Sequence, residues 1–258
     1  MGVIMVILLV LAMTLFTAAT GLTEYNTGVD LVYRLDVTQD VTLERLTTNF
    51  NYLRYLIVAR HPGFPNKRSL IKFENPPASC KSFQIQSAKM YLYYEYSHKA
   101  SYQTIQQVPF IPRYLELHLM KKFWLESQAT SSNRIAGVTW GKPRVGLDGT
   151  DAEAKPLRGR VTIEPYRPRG FVEFDVTDAV IRWRNGTPNY GLVIRATNEE
   201  VRGRDVRFAS NASSKDKHAY IIMRCKKTLP QISVSATISP ARFWYPVTRF
   251  TLSTEQHR

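Results

Sequence analysis

Two features of this chain have the residue types and spacing for chemistry, a carboxylate cluster and a cysteine pair. The segment LDGTDAE brings Asp148, Asp151 and Glu153 into one glycine-containing loop. Calcium takes about six to eight oxygen ligands, so three acids supply part of a shell, and calcium is the candidate metal. The competing reading of LDGTDAE is a solvated turn. Cys80 and Cys225 are the two cysteines. Without neighbouring histidines they cannot complete a four-ligand zinc centre, and no CxxC or HxxxH spacing occurs. An even count in a chain bound for an oxidising compartment predicts that they form a disulfide. Closing so long a loop contributes about 4 to 5 kcal/mol in the chain-entropy account.

The five histidines, His61, His98, His118, His218 and His257, are dispersed, and GxSxG, HExxH and glycine-rich phosphate loops are absent. The chain therefore reads as non-enzymatic. The stretch FVEFDVTDAVIRWRNGTPNYGL, by contrast, concentrates two aspartates, an asparagine and a tryptophan. Its alternation argues for a framework. Val172, Phe174 and Val176 share one strand face, Thr177 is the expected N-cap of a short helix, and Asp178 sits where the helix dipole favours an anion. Val180, Ile181 and Trp183 turn inward, and Asn185-Gly186 supplies a left-handed stop. Asp175, on the opposite strand face, has no assigned role.

The elements that must position these residues are mostly strands. LVYRLDV, YLRYLIVA, SLIKFE, AKMYLYYEY, GFVEFDV, YGLVIRAT and YIIMRC alternate or are rich in β-branched and aromatic residues, with turn clusters such as NPPAS and ASNASSKD between them. Many short strands predict a single all-β domain, a sandwich or barrel, with one or two short helices. YLELHLMKKFWLES fits helix or strand. VIMVILLVLAMTLFTAAT precedes the first charged residue, Glu24, which is the pattern of a secretory signal peptide over residues 1–19. Residues 20–35 read as a lead-in and residues 226–258 as a tail. No later segment is apolar enough to span a membrane, so none is expected to hold the chain after cleavage.

Lys and Arg number 35 against 21 Asp and Glu, a net charge of +14. For a secreted chain the matching polyanions are acidic polysaccharides or anionic surfaces rather than nucleic acid. The charge is scattered, so a diffusely solvated surface is the alternative. Two sequons, Asn185-Gly-Thr and Asn211-Ala-Ser, suit secretion. Pro188 follows the first, which leaves Asn211 as the expected acceptor.

The order of these pieces resembles a DNRLRE domain, also classed as carbohydrate-binding module family 96. RSLIKFE and IQSAKMYLYY match its early core strands, and FWLESQATSSNRIAGVTW resembles its middle segment, with Trp124, Thr130, Arg134 and Trp140 at the marked positions. VEFDVTDAVIRWRNGTPNYGLVI resembles its most recognisable block and RFASNASSKDKHAYIIMRC its closing strand pair. The correspondence spans residues 36–225 and departs at Asn51-Tyr52-Leu53, where the family usually continues Asn-Tyr with Gly. The form looks most like animal extracellular members of the coral skeletal organic matrix type. The resemblance implies a jelly-roll-type β-sandwich, secreted to the extracellular matrix, that binds extracellular glycans or matrix proteins without catalysis.

Sugar binding needs exposed aromatic faces beside polar groups. Trp124 and Trp140, which flank QATSSNR, are the candidates, with packing as the alternative. Tyr91, Tyr93, Tyr94 and Tyr96 occupy both faces of one strand and leave the sugar-facing set open. A structural component of a mineralised skeleton acting by adsorption is the alternative function, and a polysaccharide lyase working through Tyr and His is the third.

Overall fold

The computed structural model describes residues 30–44, 47–59, 66–97, 111–201 and 203–226, together with the backbone of 234–236 and 250–252. The expected signal peptide and most of the lead-in lie outside them, as do His61, His98 and His257. Asp30–Lys227 forms one compact unit. In the segment read as a tail, β13 (Val234–Ala236) and β14 (Phe250–Leu252) pair antiparallel within a second unit.

The chain is an all-β sandwich, 44% strand with one α-helix among the described residues. One sheet carries β2 (Tyr55–Val58), β11 (Val206–Ala209), β4 (Gln84–Ser97), β9 (Gly170–Asp175) and β12 (Tyr220–Lys226). The other carries β3 (Arg68–Phe73), β10 (Leu192–Ala196), β5 (Arg113–Leu119) and β8 (Val161–Ile163). A 14-residue strand, β1 (Asp30–Leu43), joins them. Its first half pairs with β12 and its second half with β3, and the register shifts between Val37 and Gln39. A bulge of this kind bends a strand, so one strand can turn the corner between two packed sheets.

Alternation sorts the faces. Along β4, Ala88, Met90, Leu92 and Tyr94 are buried, and they meet Leu115, Leu117 and Leu119 of β5 and Leu192 and Ile194 of β10 in the main core. Of the segment 114–127, the part up to Leu119 is strand, with Leu115, Leu117 and Leu119 buried at spacing two, and the remainder is turn and irregular chain.

The second sheet is covered on its outer face as well. Residues 120–152, which include the small hairpin of β6 (Asn133–Ile135) and β7 (Val138–Thr139), wrap over it. There Trp124, Trp140, Met120 and Val145 join Val41, Leu70 and Val193 in a second core. A buried row of charges fastens this cover. Arg68 binds Glu199 through Nε and Nη2, at 3.1 and 2.5 Å, and its Nη1 donates to the Val145 carbonyl at 2.8 Å. His118 bridges Glu116 and the Glu153 carbonyl, at 3.1 and 2.8 Å, and Arg195 Nε donates to Glu116 at 2.6 Å. Burial disfavours the Glu116 charge, but the bonds from His118 and Arg195 outweigh it and lower its pKa.

Helix α1 (Thr177–Arg184) follows β9 and buries Ala179, Val180 and Trp183. The capping differs from the sequence expectation: Val176 occupies the N-cap and Thr177 is already helical. Asp175 accepts the Thr177 N–H at 3.0 Å and thereby gains the role it lacked. The Thr177 hydroxyl instead accepts the Ala88 N–H at 2.9 Å, tying the helix start to β4. At the other end Gly186 takes φ +98°, its N–H bonds the Trp183 carbonyl, and the Thr187 N–H reaches Arg182. This is the Schellman stop, and its left-handed residue favours glycine.

Candidate functional site: an aromatic row on the open sheet face

The outer face of the sheet containing β4 carries half-buried and exposed side chains rather than a second core. Alternation sends Lys89, Tyr91 and Tyr93 outward from β4, opposite the buried Ala88, Met90 and Leu92. Phe171, Glu173 and Asp175 face the same way from β9, as do Tyr220 from β12 and Arg34 and Asp36 from β1.

Strand register then lines up rings that are distant in sequence. Tyr91 pairs with Tyr220 on one side and Glu173 on the other, and Tyr93 pairs with Phe171. Tyr91 stacks on Tyr220 with centroids 5.1 Å apart and planes 21° from parallel. Phe171 stands edge-on to Tyr220 at 5.4 Å and to Tyr93 at 5.3 Å. Four rings from three strands thus form one continuous row, in geometries that aromatic quadrupoles favour. Phe171 keeps 37% of its surface exposed, a value at which an apolar ring on a sheet face is available to a ligand.

The rim of the row is ionic but balanced. The Arg34 guanidinium lies 4.2 Å over Tyr220, and the Lys217 ammonium 5.0 Å from the Tyr93 centroid. Arg34 Nε also donates to Asp36 at 2.6 Å, Lys217 to Glu95 at 2.7 Å, and Lys89 to Asp175 at 3.1 Å. Those hydrogen bonds hold the Lys89 and Lys217 ammonium groups above their ordinary pKa, so both stay charged. Burial opposes the Asp175 charge, yet the Thr177 contacts and Lys89 lower its pKa. The Tyr91 hydroxyl donates to Glu173 at 3.0 Å, and burial together with this bond raises its pKa, keeping it a neutral donor. Flat apolar faces ringed by hydroxyl and carboxylate groups can stack on a sugar ring and hydrogen-bond its edge.

The residues singled out in the sequence lie elsewhere. Trp124 and Trp140 are 1% and 4% exposed. Trp124 Nε1 donates to the Tyr190 carbonyl at 2.7 Å and Trp140 Nε1 to the Thr130 carbonyl at 2.8 Å. A buried indole offers no stacking face, so the expected glycan-binding pair is corrected to packing anchors of the second core.

The three acids do not converge. Asp151 is buried and accepts the backbone N–H groups of Gly141, Lys142 and Gly146 at 2.8, 3.1 and 2.7 Å. Asp148 pairs with Lys142 at 2.5 Å and accepts from Thr150, contacts that hold its carboxyl well below the usual range. Glu153 pairs with Arg182. Among the described residues no three His, Cys, Asp or Glu side chains are grouped to hold a metal ion, which removes this calcium cluster.

Cys80 and Cys225 are buried with their sulfurs 2.8 Å apart and unbonded. Their proximity agrees with the expectation; the covalent bond is not formed here. Burial, reinforced by the neighbouring Cys80 thiol, pushes the Cys225 pKa up to about 12. Asn185 is exposed at the helix stop, whereas Asn211 is half-buried and its Nδ2, the atom a glycan would take, donates to Glu126 at 2.8 Å.

No family model matches the chain, and no curated protein matches it. Among solved structures, a chain from the full particle of Israeli acute paralysis virus heated to 63 degree aligns over 93% of this chain and 83% of its own, at 13% identity. The TM-score of that alignment is 0.19, too low to carry an argument about fold or function.

Proposed function

We propose that the protein is a secreted, non-catalytic carbohydrate-binding module of the extracellular matrix, as its resemblance to DNRLRE domains implies. The observation that supports this reading is the row of Tyr91, Tyr220, Phe171 and Tyr93 on an open sheet face. The cations nearest the row, Arg34, Lys89 and Lys217, are each engaged by a carboxylate. Such a surface gains little from neutralising a polyanion, because its positive charges already have partners. It suits a neutral sugar chain, stacked on the rings and hydrogen-bonded through Tyr91 and Glu173.

The test is a glycan array at physiological salt with the wild type and a Tyr91→Ala/Tyr220→Ala double variant. Salt-insensitive binding to neutral glycans that the double variant loses supports the reading. Pattern-free adsorption to every polyanion, equal in both proteins, would overturn it.

A further inference from the structure

At one end of the sandwich, three strand ends bring a lysine and two carboxylates into a place nearly closed to water. Lys67 directly precedes β3, Glu44 directly follows β1, and Asp205 directly precedes β11. Leu43 pairs with Arg68, so the antiparallel register sets Glu44 across from Lys67. In the other sheet Val206 pairs with Val58, and the N–H of Ala59, the next residue, donates to the Lys67 carbonyl at 3.0 Å. That backbone bond ties the start of β3 to the strand pair that carries Asp205. Asp205, Lys67 and Glu44 keep only 0%, 4% and 9% of their surface exposed.

Both acids converge on one amine. Lys67 Nζ lies 3.1 Å from Asp205 Oδ2 and 3.6 Å from Glu44 Oε1. On the other side of the Asp205 carboxyl, Oδ1 faces Arg207 Nε at 3.5 Å, and among the described residues neither of these two buried atoms has a hydrogen-bond partner. The loop that delivers Asp205 is pinned by the buried Arg113, which donates to the carbonyls of Asn198, Val201 and Arg204 at 3.0, 3.1 and 3.0 Å. An amine, a carboxyl and a second carboxyl able to move protons are the groups from which an amide bond is made. Reactants held in contact behave as if at about 10⁵ to 10⁸ M, and a dry site makes their separate charges costly.

We propose that Lys67 and Asp205 condense after folding into an intramolecular isopeptide bond, with Glu44 as the proton carrier. The Lys67 ammonium passes one proton along its hydrogen bond to Asp205 Oδ2, which leaves an amine and a carboxylic acid. Lys67 Nζ then adds to Asp205 Cγ, and negative charge gathers on Oδ1 beside Arg207. Glu44 moves a second proton from the nitrogen to Oδ2, the Cγ–Oδ2 bond breaks, and water leaves. One C–N bond replaces one C–O bond without any redox partner, and Glu44 ends as it began. The product is a covalent link between the two sheets, across 138 residues of sequence, that thiol reductants do not open.

The test is the mass of the full chain, produced without glycans, then unfolded and reduced. We expect it to be lighter than its sequence by one water, and a proteolytic digest to contain a branched peptide joining Lys67 to Asp205. Glu44→Gln keeps the size and polarity of the side chain but cannot carry the proton. This variant should fold, as read by circular dichroism, and form the bond about a hundredfold more slowly or worse. Asp205→Asn provides ammonia as the leaving group in place of water, so it should reach the same final mass as the bonded wild type. Folded wild type at its full mass, with Lys67 open to an amine label in denaturant, would overturn the proposal. So would a lost water with Lys67 and Asp205 in separate, unbranched peptides, and bonding by Glu44→Gln at the wild-type rate would remove the role given to Glu44.

Discussion

Tyr91 and Tyr220 lie face to face across β4 and β12, 5.1 Å between centroids, although half the length of the chain separates them in sequence. Both are only half-buried, so they can be truncated without emptying the core. Tyr220→Ala is expected to cost roughly 1 kcal/mol of glycan binding, about fivefold in Kd, and to change unfolding free energy by no more than about 1 kcal/mol. Affinity electrophoresis in neutral polysaccharide, alongside thermal melts, measures both. A large drop in melting temperature with unchanged affinity would make the row structural.

Trp124 should behave in the opposite way. It is 1% exposed and its indole N–H is bonded to Tyr190, so Trp124→Ala leaves a cavity and an orphaned carbonyl. The expected cost is about 3 to 5 kcal/mol of stability. Glycan affinity of the folded fraction should be unchanged, and denaturant titration followed by binding at low temperature separates the two effects.

Asp40 gives the fold a pH dependence. Burial raises its pKa from 3.8 to about 8, against the lowering effect of the Asn211 N–H, and nearby Glu126 raises it further. The folded state therefore holds a proton that the unfolded chain releases above about pH 4. This contribution is fully present below the unfolded pKa and is lost as pH rises toward 8, at about 1.4 kcal/mol per pH unit for one proton. Asp40→Asn keeps the shape and an acceptor for Asn211 but removes the titration. Urea unfolding between pH 4 and 8 should show a flatter profile for the variant, with its advantage largest at pH 8; parallel profiles would refute the assignment.

Cys80 and Cys225 are poised to bond, with sulfurs 2.8 Å apart. Protein produced under oxidising conditions should show a mass two hydrogens lower than the reduced form and should lose about 4 to 5 kcal/mol on reduction. In the reduced protein, the raised Cys225 pKa leaves little thiolate at neutral pH, so alkylation should be slow until the protein unfolds. Two thiols that alkylate rapidly in the native protein produced under oxidising conditions would contradict both expectations.

Much of the framework was legible from local pattern. In FVEFDVTDAVIRWRNG, Val172 and Phe174 are buried, α1 begins at Thr177, Trp183 turns inward and Gly186 ends the helix, because strand alternation and helix stops are properties of neighbouring residues. The same alternation already put Phe171 on the outer face, a signal passed over because a lone exposed Phe has no meaning without neighbours. The Thr177 cap was misplaced, because Asp175 accepts the Thr177 N–H and the Thr177 hydroxyl is taken by the Ala88 N–H, a partner distant in sequence. The tryptophans misled for a different reason. Polar residues around Trp124 and Trp140 suggested exposure, but the Thr130 hydroxyl accepts the Ser132 and Asn133 N–H groups and Asn49 donates to the Glu126 and Ala129 carbonyls, bonds that hold the covering segment together and leave the indoles beneath it.

The sequence by itself determined an all-β chain whose side chains alternate between core and surface, since that choice depends on residues two apart along one strand. Tertiary structure alone decided which face stayed open and which rings met there. Tyr91, Phe171 and Tyr220 become neighbours only through the pairing of β4 with β9 and β12, a register set by the packing of whole sheets. The same pairing of β4 with β9 set Lys89 opposite its acid, Asp175.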